Sequence, residues 1–271
     1  MTAGDSREPS AAPHPDWRAS RFGRAAGTYH DSTPVQASMA SILANLVPES
    51  FHPTTCIEFG CGTGHLTRAL TDRFPDLDIL ATDLSEAMVE RARGSWDRPA
   101  RPQWQVLDGR TPCLPAREFD LLCSNAMVQW FPRLRPHLEA CRKMTRAGGV
   151  IAVSGFRDDH FPELESVLGR PPFSYAPGPG HAPAAVDAAL SEAGWTPISI
   201  ESLEIVAEYP DASSFLDHLR RSGANRPPPQ GQKLSKSSLR LLKAGLQERA
   251  GLPGGAIRIT WRPWFAVAGA S

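Results

Sequence analysis

A short glycine-rich stretch is the first part of the sequence whose residue types suit small-molecule binding. Glu58 and Phe59 are followed by Gly60-Cys61-Gly62-Thr63-Gly64, so three glycines stand at alternate positions. Glycine has no Cβ and adopts backbone angles that other residues avoid, so such a turn lets a ligand approach the main chain closely. A turn of this kind alone is weak evidence, because it also suits a tight bend that binds nothing.

Two common nucleotide-binding motifs do not fit this stretch. The dinucleotide fingerprint G-x-G-x-x-G requires its third glycine at position 65, where the sequence has His65. A phosphate-binding loop of the Walker A type requires Gly-Lys followed by Ser or Thr, which is absent here. The spacing therefore disfavours a pyrophosphate ligand.

Carboxylates at the ends of the following predicted strands indicate which class of ligand the glycine turn binds. Asp83 ends the next strand, 19 residues after Gly64, where a carboxylate can accept hydrogen bonds from both hydroxyls of a ribose. Nicotinamide enzymes share this acid, so it indicates a nucleoside rather than a particular one. Asp108 ends the third strand and is a second candidate, whereas Asp120, on the fourth strand, is assigned a structural role.

The elements that position these groups alternate between strand and helix. Strands are predicted over residues 56–59, 78–83, 104–107, 119–123 and 150–153, and helices begin near Leu66, at the N-cap Ser85 and near Leu134. Alternating elements of this size predict right-handed crossovers and a mostly parallel sheet. The carboxyl ends of its strands should bring the glycine turn and the carboxylates together.

The flanking segments follow other patterns. We expect a disordered leader over 1–16, then a single domain over 17–271 with a core at 57–156 and cap elements at 17–48, 157–183 and 211–255. Helices are predicted from Trp17, from Pro34 to Pro48, and over 184–193, 215–221 and 234–249. A long proline-rich loop is predicted at 169–183, and the prolines of residues 226–230 should interrupt regular secondary structure. Strands are predicted at 197–206 and 256–268, with Pro263 at a bulge or edge.

Composition excludes several classes of protein. Hydrophobic residues make up 41% of the chain, which argues against wholesale disorder, and 29 basic residues balance 29 acidic ones, which argues against a globally basic nucleic-acid binder. Five cysteines without a C-x-x-C pair disfavour a zinc ribbon or a disulfide framework. We predict no metal, because Asp158-Asp159-His160 better suits a solvated turn. The absence of a long apolar run and of a signal sequence predicts a cytoplasmic protein that does not enter membranes.

The charge is nevertheless unevenly distributed. Residues 213–262 contain ten Lys or Arg and two acids, so the rest of the chain carries the compensating negative charge. A helical stripe of Lys236, Arg240 and Lys243 belongs to this basic part. It indicates an anionic partner or a phosphate-bearing ligand, although an unevenly charged surface without a partner is the alternative.

Several motifs together resemble a known family. The spacing G-x-G-x-G after an acidic strand residue resembles motif I of class I S-adenosylmethionine-dependent methyltransferases. The segments Phe22-x-x-Ala25-Ala26-x-x-Tyr29 with Val35-Gln36, Ser124 to Trp130, and Leu219 to Asn225 resemble the malonyl-acyl-carrier-protein methyltransferases of biotin synthesis (BioC). Glu58 stands where Asp is commoner, which is a mild change. The proline-rich residues 169–183 and 227–229 are not expected from the family, and residues 256–261 fit it only in part. These three departures lie in the predicted substrate-binding part, so they bear on the acyl group more than on the cofactor.

The resemblance implies a fold, a cofactor and an activity. The fold is α/β and Rossmann-like, with a seven-stranded, mostly parallel sheet, helices on both faces, a helical N-terminal segment and C-terminal cap insertions. The cofactor is S-adenosylmethionine, and the product is S-adenosylhomocysteine. The activity is methylation of the free carboxylate of a malonyl thioester on acyl-carrier protein. The implied cofactor-binding residues are Glu58, Gly60, Gly62, Gly64, Asp83, Leu84, Asp108 and Asn125.

The resemblance also suggests how the acceptor is bound. Tyr29 is the candidate catalytic hydroxyl, with a core tyrosine as the alternative, and Gln36 and Trp130 are candidates for the same pocket. Arg220 or Arg221 could pair with the carboxylate or with the phosphate of the carrier's phosphopantetheine, because guanidinium binds either group with two hydrogen bonds. Lys236, Arg240 and Lys243 could steer docking of the acidic carrier.

Three other functions remain open from the sequence. A methyltransferase could act on a free small molecule such as a carboxylic acid or a quinone precursor. The chain could also bind the cofactor without catalysis. A nicotinamide oxidoreductase is the third possibility, and His65 argues against it.

Overall fold

The parallel part of one sheet brings the predicted binding residues to a common edge. The computed structural model describes residues 17–112, 114, 118–131, 133–169, 182–224 and 235–270. The predictions for 1–16, for most of the 169–183 loop and for 226–230 lie outside these described residues. The division into one domain with cap elements stays a prediction.

Seven strands form the main sheet, in the order β3-β2-β1-β4-β5-β9-β6. Two further strands, β7 and β8, form a separate small sheet. The bounds of all nine, within the described residues, are β1 Thr55–Phe59, β2 Asp78–Asp83, β3 Gln103–Val106, β4 Phe119–Ser124, β5 Thr145–Phe156, β6 Trp195–Ser202, β7 Ile205–Tyr209, β8 Ile257–Trp261 and β9 Pro263–Ala270. Neighbours among β1 to β5 pair in parallel, and only β9 within this sheet runs antiparallel to its neighbours. The predicted seven-stranded, mostly parallel sheet is confirmed.

Helices cover both faces of this sheet. They are α1 Trp17–Tyr29, α2 Pro34–Leu46, α3 His65–Arg73, α4 Glu86–Gly94, α5 Arg135–Lys143, α6 Pro162–Leu168, α7 Pro183–Glu192, α8 Ala212–Arg221 and α9 Lys236–Ala250. Successive strand residues point to opposite faces, so Cys56 joins a core with α2 and α3, whereas Ile57 joins a core with α5 and α7. Strands buried on both faces give the near-continuous apolar runs seen in the sequence.

The strand order reverses direction between β1 and β4. The chain passes from β1 outward to β2 and β3, and then returns to β4 on the other side of β1. The loops after β1 and β4 therefore diverge and leave a crevice at the carboxyl ends of the strands, where ligands of open α/β sheets bind. The glycine turn follows β1, and Asn125 follows β4, so both border this crevice.

Two predicted strands are wrong in their extent. Residues 197–206 are not one strand, because β6 ends at Ser202 and β7 pairs with β8 in a separate two-stranded sheet. Residues 256–268 are likewise divided at Arg262 between β8 and β9. Apolar residues stand on both sides of each break, and a change in the phase of their alternation between Ile200 and Leu203 is a local sign of the first one. Pro263 is the first residue of β9, a position that tolerates a missing N–H.

Helices and the small sheet build a cap over the carboxyl edge. Helix α1 packs against α4 and α8, and α9 packs against α6, α8 and β8. Helix α6 was not predicted.

Among the described residues, no helix is long and apolar enough to span a lipid bilayer, and no group of three His, Cys, Asp or Glu side chains is arranged to hold a metal ion.

Candidate functional site

The glycine turn has a backbone that only glycine adopts readily. Gly60, Gly62 and Gly64 have φ angles of +71°, +53° and +90°, a region that disfavours residues with a Cβ. A Cβ on Gly60 would lie 2.7 Å from Cγ of Met127, and one on Gly62 would lie 3.4 Å from the Tyr29 ring. Gly60 is therefore required both by conformation and by a close neighbour, whereas Gly62 is required by conformation.

Asp83 ties the glycine turn to the end of β2. Its Oδ2 accepts a hydrogen bond from the Gly62 main-chain N–H at 2.9 Å, and its Oδ1 accepts one from the Ser85 N–H at 2.8 Å. Burial raises the pKa of the Asp83 carboxyl, whereas the N–H donors favour the charged form and act in the opposite sense. The carboxylate thus sits at the base of the crevice with its oxygens already oriented.

A cleft of about 650 Å³ lies above this turn. Six of the eight predicted cofactor-binding residues line it: Gly60, Gly62, Asp83, Leu84, Asp108 and Asn125. Gly64 does not line the cleft, because it stands at the N-cap of α3.

Glu58 also lies away from the cleft lining. Its side chain is buried, and Oε2 accepts a hydrogen bond from Oγ1 of Thr67 at 2.6 Å. Burial raises the pKa of Glu58 to about 7. The structure therefore places Glu58 as a link between β1 and α3, beneath the glycine turn.

Arg110 is a neighbour of Asp108 that the sequence patterns did not single out. Its Nε and Nη2 donate hydrogen bonds to the Asp108 carboxylate, at 2.9 Å to Oδ1 and 2.6 Å to Oδ2. These bonds hold the pKa of Asp108 below its usual value. Both residues line the cleft, together with Arg18, which no motif marks, and Met127, which lies in the segment Ser124 to Trp130 but was not predicted to bind.

Asn125 connects the cleft to a second cavity. Its Nδ2 donates to the main-chain oxygen of Gln36 at 3.0 Å, and its Oδ1 accepts from Oγ of Ser154 at 2.7 Å. The next residue, Ala126, has φ +52°, a strained conformation for alanine. The strained turn after β4 thus holds the start of α2 against the cleft.

The second cavity adjoins the first and is largely aromatic. Its lining includes Gln36, Gln129, Phe156, His160, Phe161, Leu219 and Trp261. Phe22, Tyr29, Ala126 and Trp130 line both cavities and so form the boundary between them. No Lys or Arg is among the described residues that line the second cavity, and burial lowers the pKa of His160 to about 4. The cavity therefore has no formal positive charge near pH 7.

Tyr29 occupies the boundary between the two cavities. Burial, with a smaller contribution from Asp83, raises the pKa of its phenol, so the hydroxyl keeps its proton at neutral pH. Within the described part of the chain, this hydroxyl has no hydrogen-bond partner. Its ring packs edge-on against Phe22, which packs in turn against Trp130. A positioned phenol O–H is thus available to a ligand that spans both cavities.

The predicted arginines do not line either of these cavities. Arg220 is mostly exposed and pairs with Asp217, and Arg221 lies beside it at the end of α8. Both line an outer depression with two arginines of α1, Arg21 and Arg24. We call these four residues the arginine cluster. Arg21 and Arg24 are three positions apart on α1, so the sequence places them on one face. Only the packing of α1 against α8 brings them beside the other two arginines.

The basic stripe of α9 lies near the same surface. Lys236 and Arg240 are exposed on the first part of the helix. Lys243 lines a depression together with Arg221, Asp217 and Asp31. The predicted stripe and the arginine cluster are therefore neighbours on the cap.

Sequence comparisons identify relatives of the whole chain. A family model described as "Methyltransferase domain" matches residues 57–151. The chain is 32% identical to a malonyl-[acyl-carrier protein] O-methyltransferase from Dechloromonas aromatica, over 86% of this chain and 87% of that protein. It is 30% identical to the biotin biosynthesis bifunctional protein BioCD from Bordetella avium, over 82% of this chain. The match spans 47% of that bifunctional protein, so the chain corresponds to about half of its length.

A solved structure has the same architecture. The N-methyltransferase NodS from Bradyrhizobium japonicum, in complex with S-adenosylhomocysteine, superposes with a TM-score of 0.57 and 16% sequence identity. The match covers 94% of this chain and 99% of that structure. At this identity the likeness establishes the fold.

Proposed function

This chain belongs to the malonyl-[acyl-carrier protein] O-methyltransferase family of S-adenosylmethionine-dependent methyltransferases, and from that premise we propose that it methylates the free carboxylate of a malonyl thioester on acyl-carrier protein. The observation that carries the proposal is the meeting of two cavities at the Tyr29 phenol. One cavity suits a nucleoside, and the other, without formal charge, suits an acyl group.

The residues of the first cavity fit the family's cofactor. Gly60 and Gly62 both line this cavity, and a Cβ on Gly60 would clash with Met127. The oriented carboxylate of Asp83 would hold the ribose hydroxyls, and Asp108 would hold the adenine amine. When bound, S-adenosylmethionine supplies an electrophilic methyl group on a sulfonium. This assignment of individual residues is part of the proposal.

The second cavity suits a carboxylate that must act as a nucleophile. A malonyl carboxylate is ionised at pH 7, so the chain needs no general base. A cation beside it would form an ion pair and lower its reactivity, whereas the lining described above offers neutral donors. Tyr29 would donate its phenol proton in a hydrogen bond to one carboxylate oxygen. The other oxygen would then face the cofactor cleft.

Aromatic walls would exclude water from this reaction. Trp130 packs edge-on against Trp17 and Phe22, with ring centroids 5.8 and 5.6 Å apart. Helix α1 thereby closes the side of both cavities. A closed site holds the reacting groups in line, and orientation of this kind lowers the activation barrier by several kcal/mol.

The proposed docking surface is the arginine cluster with the α9 stripe beside it. Burial and the neighbouring Arg24 lower the pKa of Arg21, as expected where cations are crowded. Gly223, at the end of α8, lines this depression, and the adjacent Ser222 and Ala224 line the second cavity. A carrier bound on this surface would therefore have its phosphate outside and its acyl group near the second cavity.

Mass spectrometry of malonyl carrier protein after incubation with this chain and S-adenosylmethionine tests the proposal. We expect the mass of one added methyl group, which fragmentation places on the malonyl carboxyl, and release of S-adenosylhomocysteine. Free malonate serves as the comparison substrate. An unmodified carrier, under conditions in which the chain binds S-adenosylhomocysteine, would contradict the proposal, and methylation of free malonate alone would indicate a small-molecule enzyme instead.

A further inference from the structure

Two buried glutamines of the second cavity have side-chain oxygens without a donor. Gln36 and Gln129 retain 6% and 2% of their accessible surface. Within the described part of the chain, Oε1 of each is buried and accepts no hydrogen bond. Buried polar atoms in proteins are nearly always paired with protein groups, ordered water or a ligand, so two orphan acceptors that line one cavity indicate donors supplied from outside the chain.

Both amides stand on fixed backbone. Nε2 of Gln129 donates to the Ala126 oxygen at 2.6 Å, which leaves Oε1 on the other end of the amide. Ala126 is itself held by a hydrogen bond from its N–H to the Ser154 oxygen at 3.1 Å. Gln36 is anchored through its main-chain oxygen by Asn125. The side-chain amide of Gln129 is therefore held directly, and the main chain of Gln36 is held beside the cavity.

The orphan atoms define the chemistry of the missing group. An amide oxygen accepts hydrogen bonds, so its partner must carry an N–H or O–H. An ionised carboxylate and a thioester have only acceptor atoms, and the malonyl group therefore cannot satisfy these oxygens. The phosphopantetheine arm that carries an acyl thioester contains two secondary amides, each with one N–H.

We propose that Gln36 and Gln129 accept hydrogen bonds from the amide N–H groups of the thioester arm, and so select a pantetheine-borne acceptor over a simple acid or thioester. This inference rests on the proposed function, because it names the part of the acceptor that the cavity recognises. A site with a buried hydrogen-bonding group rejects an analogue that lacks the partner, since its own polar atom is then left unpaired.

A series of malonyl thioesters tests the inference. The substrates are malonyl-pantetheine with two amides, malonyl-N-acetylcysteamine with one, and S-butyl malonyl thioester with none. The enzymes are wild type, Gln36→Met, Gln129→Met and the control Gln105→Met, whose side chain is exposed on β3. We expect wild-type kcat/KM to fall about tenfold or more when the last amide is removed. Gln129→Met should lower kcat/KM for malonyl-pantetheine about tenfold more than it lowers kcat/KM for the S-butyl thioester.

Binding measurements separate this inference from the proposed function. Calorimetry with acetyl-pantetheine and S-butyl thioacetate, in the presence of S-adenosylhomocysteine, needs no methyl transfer. Weaker binding of acetyl-pantetheine to Gln36→Met and Gln129→Met, with unchanged binding to the control, supports the inference even if no malonyl thioester is methylated. Equal losses on amide-bearing and amide-free compounds, or no losses, would overturn it.

Discussion

The imidazole rings of His30 and His65 are stacked, with centroids 4.4 Å apart and planes 21° from parallel. His30 Nδ1 lies 3.1 Å from Oγ1 of Thr63, and His65 Nε2 lies 2.9 Å from Oγ1 of Thr33. The pair joins the segment after α1 to the glycine turn and so fixes the position of Tyr29. The residue that breaks the dinucleotide fingerprint therefore has a structural role in this fold.

The buried histidines should make stability depend on pH. Burial lowers the pKa of His65, His137 and His160 to about 4, from an ordinary value near 6.5. Between these values the unfolded chain binds protons that the folded chain does not, so the free energy of unfolding should fall as the pH falls from 6.5 to 4. Glu58 acts in the opposite sense between its unfolded pKa and about 7, because its folded pKa is raised.

Urea unfolding at pH 7 and pH 5 checks this prediction. The three histidines outweigh the two carboxyls with raised pKa values, Glu58 and Asp83, so we expect a lower midpoint at pH 5. Replacement His137→Asn removes one of the titrating groups and should reduce the difference between the two midpoints. A midpoint that is constant or higher at pH 5 would show that these side chains are not held neutral.

Gly60→Ala should impair binding of S-adenosylhomocysteine. The new methyl group would lie 2.7 Å from Met127 Cγ, and the positive φ costs a further 1 kcal/mol or so. Gly148→Ala is the matched control, because Gly148 has φ +73° with open space around its Cβ position. Calorimetry should show at least tenfold weaker binding for Gly60→Ala alone, while both variants lose a similar amount of stability from strain. Equal affinities of the two variants for S-adenosylhomocysteine would show that the glycine turn does not form part of the binding site.

Asp83→Asn should abolish most cofactor binding. Both carboxylate oxygens accept main-chain N–H bonds, from Gly62 and Ser85, and an amide NH₂ in place of one oxygen would face a donor. We expect the dissociation constant of S-adenosylhomocysteine to rise about 100-fold, since a charged acceptor and the turn geometry are both lost. Asp76→Asn, on an exposed side chain, is the control. Unaltered affinity of the Asp83 variant would contradict the proposed ribose site.

Tyr29→Phe should lower turnover more than it lowers affinity. The phenol lies at the boundary of the two cavities, and its removal deletes one donor while the ring packing against Phe22 is kept. We expect kcat to fall about 10- to 100-fold, because without the phenol the carboxylate is no longer oriented for in-line attack. Affinity for S-adenosylhomocysteine, measured in parallel, should change by less than the turnover does. A variant with full turnover would exclude Tyr29 from the reaction.

Charge reversal in the arginine cluster should weaken use of the carrier protein. We expect Arg24→Glu and Arg221→Glu to lower kcat/KM for malonyl carrier protein about tenfold at low salt, with a smaller effect at high salt because salt screens exposed charges. Lys143→Glu is the control. This exposed residue at the end of α5 precedes β5 and so lies at the opposite edge of the sheet. Equal effects of all three reversals would place docking elsewhere.

The sequence by itself determined the central sheet and the cofactor cleft. The glycine spacing, Asp83 at a strand end and the alternation of strands with helices each depend on contacts between residues close in the chain. Parallel crossovers then bring strand ends to one edge with little choice of topology. For this reason six of the eight predicted cofactor-binding residues line a single cleft.

Only the tertiary structure decided how the outer helices pack and which residues line the second cavity. Gln36, Gln129 and Trp261 come from distant segments, and nothing in their local sequence states that they share a wall. The same holds for Arg21 and Arg24 of α1 beside Arg220 and Arg221 of α8. Local periodicity shows which face of an element is buried, but the partner of that face depends on the packing of the whole chain.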